Sequence, residues 1–142
     1  MSAMSDFLEA NLVNHLFRGV TYNPPTTLAL ALATAVLVDG NTGSLGGNEV
    51  ANTGAYARQA LNPSATNWAD PSTTGGATGN SATVTYPTAT ANWGTVTDVA
   101  ILDSATWGVG NLLFYGVLGT SKTVNNGDTF KFNLRGLTVT LA

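Results

Sequence analysis

The chain has no cysteine and a single histidine, and charged residues fill only 9% of its 142 positions, against roughly 25% in ordinary soluble domains. Without cysteine, no disulfide stabilises the fold and no thiolate can ligate a metal. A protein made in a reducing cytosol suits that composition. Five basic residues stand against eight acidic ones, for a net charge of −3, so binding to a phosphate backbone is not expected. No apolar run approaches the ~20 residues that span a bilayer. The first residues also lack the basic start, apolar core and small-residue cleavage site of a secretory signal. Nucleic acid and membrane are thereby set aside as partners, and no cofactor is expected.

What replaces charge is neutral polarity: Thr, Asn, Ser and Gly carry the solvent-facing load. Such surfaces dry on contact without the large desolvation cost that charged ones incur. Two readings follow, a loop-rich β protein with neutral loops or a protein that works inside an assembly. The length fits one domain over residues 1–142, with about two-thirds of the unfolded surface buried on folding.

The organising stretch is Asn92–Gly119. Two β-branched and aromatic segments, Thr95–Leu102 and Asn111–Leu118, flank a turn of Asp, Ser, Gly and one Trp, the pattern of paired antiparallel strands. Simple alternation sets Val96, Ala100 and Leu102 against Val99 and Ile101. It likewise sets Leu112, Phe114 and Leu118 against Leu113, Tyr115 and Val117. A hairpin apolar on both faces belongs in the middle of a sheet or under a partner surface.

Around it, the chain reads as one helix and a series of strands. Ser5 or Asp6 caps a helix over 5–18, with Glu9 at capping-box spacing from Asp6 and Gly19 as its stop. Leu8, Leu12 and Leu16, joined by Phe7 and His15, form an apolar stripe that must pack on the domain's own sheet or on a neighbouring subunit. The β domain spans 26–141. In Thr26–Thr34 the large Leu28, Leu30 and Leu32 alternate with Ala29, Ala31 and Ala33, and the small face invites close approach by the helix. Long Gly/Asn-rich loops are read over 39–54 and 62–80. Between them Ala55–Leu61 is a short strand with mixed faces. Ser81–Tyr86 turns Ala82, Val84 and Tyr86 inward; Thr129–Leu134 does so with Phe130, Phe132 and Leu134; Leu137–Leu141 closes the chain. The sum is a mainly β fold of seven or eight strands, an antiparallel sandwich or jelly-roll-like domain with one short N-terminal helix. No fixed-period repeat is present.

Reaction chemistry is thin. His15 has no ligand or triad partner near it in sequence and reads as a packed or surface residue. Asp98 and Asp103 are near enough to suggest a glycosidase pair, but a solvated strand Asp and a turn-forming Asp explain both. Gly108-Val109-Gly110 and Gly75–Gly79 lack the strand-to-helix setting and lysine of a phosphate loop. Among the tryptophans, Trp93 opens the hairpin and reads as core. Trp68 and Trp107 sit in Gly/Ser/Thr/Asn loops, as loop anchors or at a contact, where Trp is enriched; a sugar-binding platform is a third option. Trp68, Trp107 and Val109, with Leu8, Leu12 and Leu16 of the helix stripe, are the candidate protein-contact residues. No catalytic or metal-ligating set emerges.

Several stretches taken together carry a family resemblance: Met4–Gly19, Tyr22-Asn23-Pro24-Pro25 leading into the Leu28–Ala33 strand, Gly54–Leu61, Thr83–Asp103, Gly110–Phe132 and the closing LTVTLA. In that order the chain resembles a family of small tailed-bacteriophage virion proteins, described as tail-fibre-like or as capsid cement (decoration) proteins. The Ser104–Val109 turn is longer than the family's usual hairpin loop, and Asp39–Glu49 is particular to this chain. The resemblance implies a non-enzymatic virion component made in the host bacterial cytoplasm. Its first form is a cement protein, a homo-oligomer such as a trimer, bound to the major capsid protein on the outer capsid surface. The alternative is a tail-fibre or receptor-binding component, and a carbohydrate-binding module is the more distant one.

Overall fold

In a computed structural model of the chain, residues 3–71 and 75–141 are described. The elements are β1 (Ala3–Met4), α1 (Asp6–Arg18), β2 (Ala29–Ala33), β3 (Gln59–Ala60), β4 (Ala77–Gly79), β5 (Val84–Thr85), β6 (Gly94–Leu102), β7 (Leu112–Val124), β8 (Lys131–Phe132) and β9 (Thr138–Thr140). All pairings are antiparallel. Five strands form a sheet in the order β1-β7-β6-β2-β3, with β6 at its centre, while β4–β9 and β5–β8 form two small ribbons. The protein is therefore mainly β, antiparallel and sandwich-like, with one short helix, as the sequence predicts.

The sheet is covered on both faces. On one, Leu30, Leu32, Val99 and Ile101 pack with Val84, Phe132 and Val139 of the ribbons around Tyr56, Tyr86, Trp93 and Phe130. Tyr86 is the hub: its ring lies 5.6–6.5 Å from those of Tyr56, Trp93, Phe130 and Phe132, and its hydroxyl donates to Leu30 O at 3.0 Å. A buried tyrosine needs such a partner for its polar end. On the other face, Ala31, Ala33, Ala100, Leu102 and Leu112 meet Leu37 and Leu45. The small side chains of β2 do admit a close neighbour, but it is the 34–50 loop and not the helix. That loop returns along β2 through Thr34 N to Asn48 O and Val50 N to Leu32 O, both 2.9 Å.

Two irregularities overturn the simple alternation of the hairpin. Val96 pairs with Lys122 but Asp98 pairs with Val117, and Ile101 pairs with Phe114 but Leu102 with Leu112. A bulge inverts the faces beyond it. Val96 therefore joins Val99 and Ile101, while Ala100 and Leu102 face the opposite cluster. Phe114 and Leu118 share the aromatic side, and Leu112 does not. β7 also continues six residues past Leu118.

Other expectations change at element ends. Ala82, Leu134 and Leu141 point outward, the last two 60% and 50% exposed, because only Val84–Thr85, Lys131–Phe132 and Thr138–Thr140 are in strand pairing. Of Ala55–Leu61 only Gln59–Ala60 is a strand. The stretch 62–80 is not wholly loop: β4 and a bridge between Trp68 and Asn80 lie in it, and its residues 72–74 are outside the described residues. Asp98 is not solvated; it is 1% exposed and accepts from Leu37 N at 3.3 Å.

The helix is held by its first turn. Ser5 accepts from Leu8 N at 3.3 Å and donates to Leu112 O, Ser5 N donates to Leu113 O and Asp6 N to Asp39 O. Leu8 is buried, Leu12 half-buried, and Leu16 is 71% exposed. The predicted stripe packs only at its start, because the anchors all lie before the second turn and the later turns project past the sheet.

Candidate functional site

The turn between β6 and β7 is built from the inside outward. Asp103 accepts from Asn111 N at 2.6 Å and from Asn111 Nδ2 at 2.7 Å, which closes the base of the turn. Arg58 reaches it from below. Its Nη1 donates to Ser104 O (3.0 Å) and Val109 O (2.9 Å), its Nη2 to Gly43 O (2.7 Å), and its Nε and Nη2 to the two oxygens of Glu49 at 2.8 and 2.7 Å. Every N–H of the guanidinium is used. The pair is fully buried, and Tyr56 Oη also donates to Glu49, at 3.0 Å. Burial, then the Glu49 charge, pushes the Tyr56 hydroxyl well above its ordinary pKa. Gly43 fits against the turn so closely that a Cβ there would lie 2.3 Å from Gly110 O. The sequence carries no motif for this network; Glu49 and Arg58 are nine residues apart in irregular chain.

The three tryptophans share a role that their separate positions in the sequence hide. The indole N–H of Trp107 donates to Val50 O (2.9 Å), that of Trp93 to Gly54 O (2.8 Å), and that of Trp68 to Leu61 O (2.9 Å). All three tether the single segment from Val50 to Leu61. Trp93 is core, 7% exposed; Trp68 is half-buried; Trp107 remains 41% exposed, with Val109 at 50%. The turn thus presents two apolar side chains on a braced backbone.

Of the other candidate contact residues, Leu8 lies inside the domain and Leu12 at its boundary. Leu16 stands in the open beside Val13, Phe17 and Val20, which are 54%, 80% and 51% exposed. Val13, Leu16 and Phe17 share a helix face by their i, i+3, i+4 spacing. Sequence reading missed Phe17, although its spacing from Val13 was there to read.

A second apolar feature has no counterpart in any sequence motif. Leu28, Pro63, Ala65, Trp68, Ile101, Phe114 and Val139 line a groove of about 580 Å³. Ile101, Phe114 and Val139 continue into a smaller cavity of about 200 Å³ beside Gly116–Gly119. The sandwich is open along this side, where, among the described residues, β1 pairs with β7 at Phe114 and Tyr115. Phe114 and Tyr115, adjacent on one strand, face opposite ways: Phe114 toward the groove, Tyr115 toward Asp39 at the start of the helix.

The two candidate carboxylates each hold structural hydrogen bonds. Asp103 spends both oxygens on Asn111 and Asp98 is buried beneath Leu37. His15 Nδ1 accepts from Tyr22 N at 3.3 Å on the exposed end of the helix. Among the described residues no group of three or more His, Cys, Asp or Glu is placed to hold a metal ion, and no helix is long and apolar enough to cross a membrane.

No curated protein matches the chain. A family model described as Podophage GP4 fiber I protein gp80 matches residues 3–140, so the match takes in the helix, the braced turn and the open side of the sandwich together. The chain belongs to this phage fiber protein family and is a structural component of the bacteriophage virion.

Proposed function

We propose that the protein is a non-enzymatic subunit of a phage fibre that assembles with copies of itself and carries contact surfaces outward from the virion. The observation that carries this reading is the fiber-family match over residues 3–140. The molecule supports it with surfaces that suit assembly: a braced turn bearing Trp107 and Val109, an apolar helix end, and few charges to desolvate. A fibre subunit is placed by locating it on the particle. In a cryo-EM map of the virion the domain is expected in tail-associated density, and purified protein is expected to compete with phage for adsorption to host cells. Density on the capsid shell, with no competition, would overturn the fibre reading.

A second reading is a cement protein that binds the major capsid protein on the outer capsid surface and stabilises the shell by mass action. One observation favours it: these 142 residues show no fixed-period repeat of the kind that builds a shaft. Particles lacking the protein would then lose resistance to heat and to packaged-DNA pressure. Glycan binding by the Trp68 groove is disfavoured by its lining, because sugar sites need several convergent polar groups and Thr78 Oγ1 there already donates to Ala69 O.

A further inference from the structure

Among the described residues the end of α1 and the Trp68–Phe114 groove are both apolar and both open, and they match each other in kind. We infer that copies of the chain associate head to tail, with Leu16 and Phe17 of one copy seated in the groove between Trp68 and Phe114 of the next. The inference rests on the self-assembly proposed above and names its surfaces.

The helix cannot fill its own groove. Its first turn is tied to Leu112, Leu113 and Asp39, on the side of β7 that Tyr115 faces, while Phe114 and the groove are on the other. A capped helix of 13 residues is too stiff to bend back around the strand. The groove is lined mainly by apolar side chains, with Ser64, Asp70 and Thr78 as its polar members, and suits an apolar occupant better than a small polar ligand. Size is adequate in a ring. Val13, Leu16, Phe17 and Val20 expose on the order of 400–500 Å², the scale of the largest apolar patch on a typical monomer. Each contact would bury about that much on each partner, the size of a weak interface taken singly, and a closed ring gives every subunit two of them, one through its helix and one through its groove. Knob and groove are different surfaces, so the contact is heterologous and closes into a ring or continues as a filament.

The absence of cysteine makes the test clean. Phe17→Cys and Ala65→Cys chains are mixed and treated with a short thiol cross-linker; Ala65 is on the groove wall and exposed. The 17–65 cross-link is expected to dominate over 17–17 and 65–65, and Phe17→Asp is expected to weaken association at least ~10-fold by light scattering. Its melting curve should be unchanged, since Phe17 is 80% exposed. If the wild type is oligomeric but Phe17→Asp associates as tightly, or 17–17 cross-links dominate, the head-to-tail contact is wrong while self-assembly stands. A wild type that stays monomeric at every concentration removes self-assembly itself.

Discussion

Arg58 shows how much one side chain can organise. It is buried with Glu49 and holds three backbone carbonyls of two loops, Gly43, Ser104 and Val109. Truncating one member of a buried, fully bonded pair leaves the other charge stranded, which costs about 3–5 kcal/mol. Arg58→Ala is therefore expected to lower stability by that amount in urea unfolding. Arg58→Met with Glu49→Leu should cost clearly less than the two single changes summed, because the stranded charge is gone. Equal additive losses would mean that the two residues do not act as a unit. Nothing in the local sequence flags this pair. A charged residue in a Gly- and Asn-rich stretch reads as solvated, and only the fold brings Glu49 under Arg58.

At the scale of elements, two joints carry the candidate surfaces. The first is the contact of the 34–50 loop with the β6–β7 turn, where Gly43 meets Gly110. A methyl group at Gly43 would overlap Gly110 O and Val109 C at 2.3 Å, and both are backbone atoms that cannot rotate away. Gly43→Ala is expected to destabilise by about 1–3 kcal/mol or more and to loosen the turn, read as faster amide exchange at Val109. The second joint is the start of the helix. Ser5 is both its N-cap and a donor to Leu112 O. Ser5→Ala should cost ~1–2 kcal/mol, with thermal melts as the measure. The helix start was legible to within one residue, as Ser5 or Asp6, and the structure selects Ser5. The docking was not, because Leu8, Leu12 and Leu16 look equivalent until the sheet ends beneath them.

At the scale of the whole molecule, alkaline pH is the simplest probe. All four tyrosines have hydroxyls raised above their ordinary pKa: Tyr86 and Tyr56 first by burial, Tyr22 by burial and Asp103, and Tyr115 to about 12 first by its bond to Asp39. In the unfolded chain they ionise near ~10. The fold favours the neutral form, so its full stability is present below pH ~10 and is lost as pH rises beyond it. Absorbance titration should show no tyrosine ionising at its ordinary pKa in the folded state, with ionisation arriving together with unfolding. Tyr115→Phe should remove only that residue's own share of the loss, which builds up between about 10 and about 12. A native-state titration with all four tyrosines ionising near ~10 would contradict this burial pattern.

What the residues determined by themselves was local. Period-two alternation marked the strands, Ser5 and Gly19 bounded the helix, and Asn125–Asp128 made its turn, with Asp128 Oδ2 accepting from Asn125 N at 2.8 Å. These depend on near neighbours, so they can be read along the chain. The tertiary structure alone decided which face each hairpin residue takes, because a bulge at Thr97 or Leu113 follows from strand register and not from residue type. It also decided that the three indoles tether one segment, and that Phe17 is left in the open across the sheet from an apolar groove. Those outcomes depend on partners as much as 57 residues away, and distance along a chain carries no signal of contact in space.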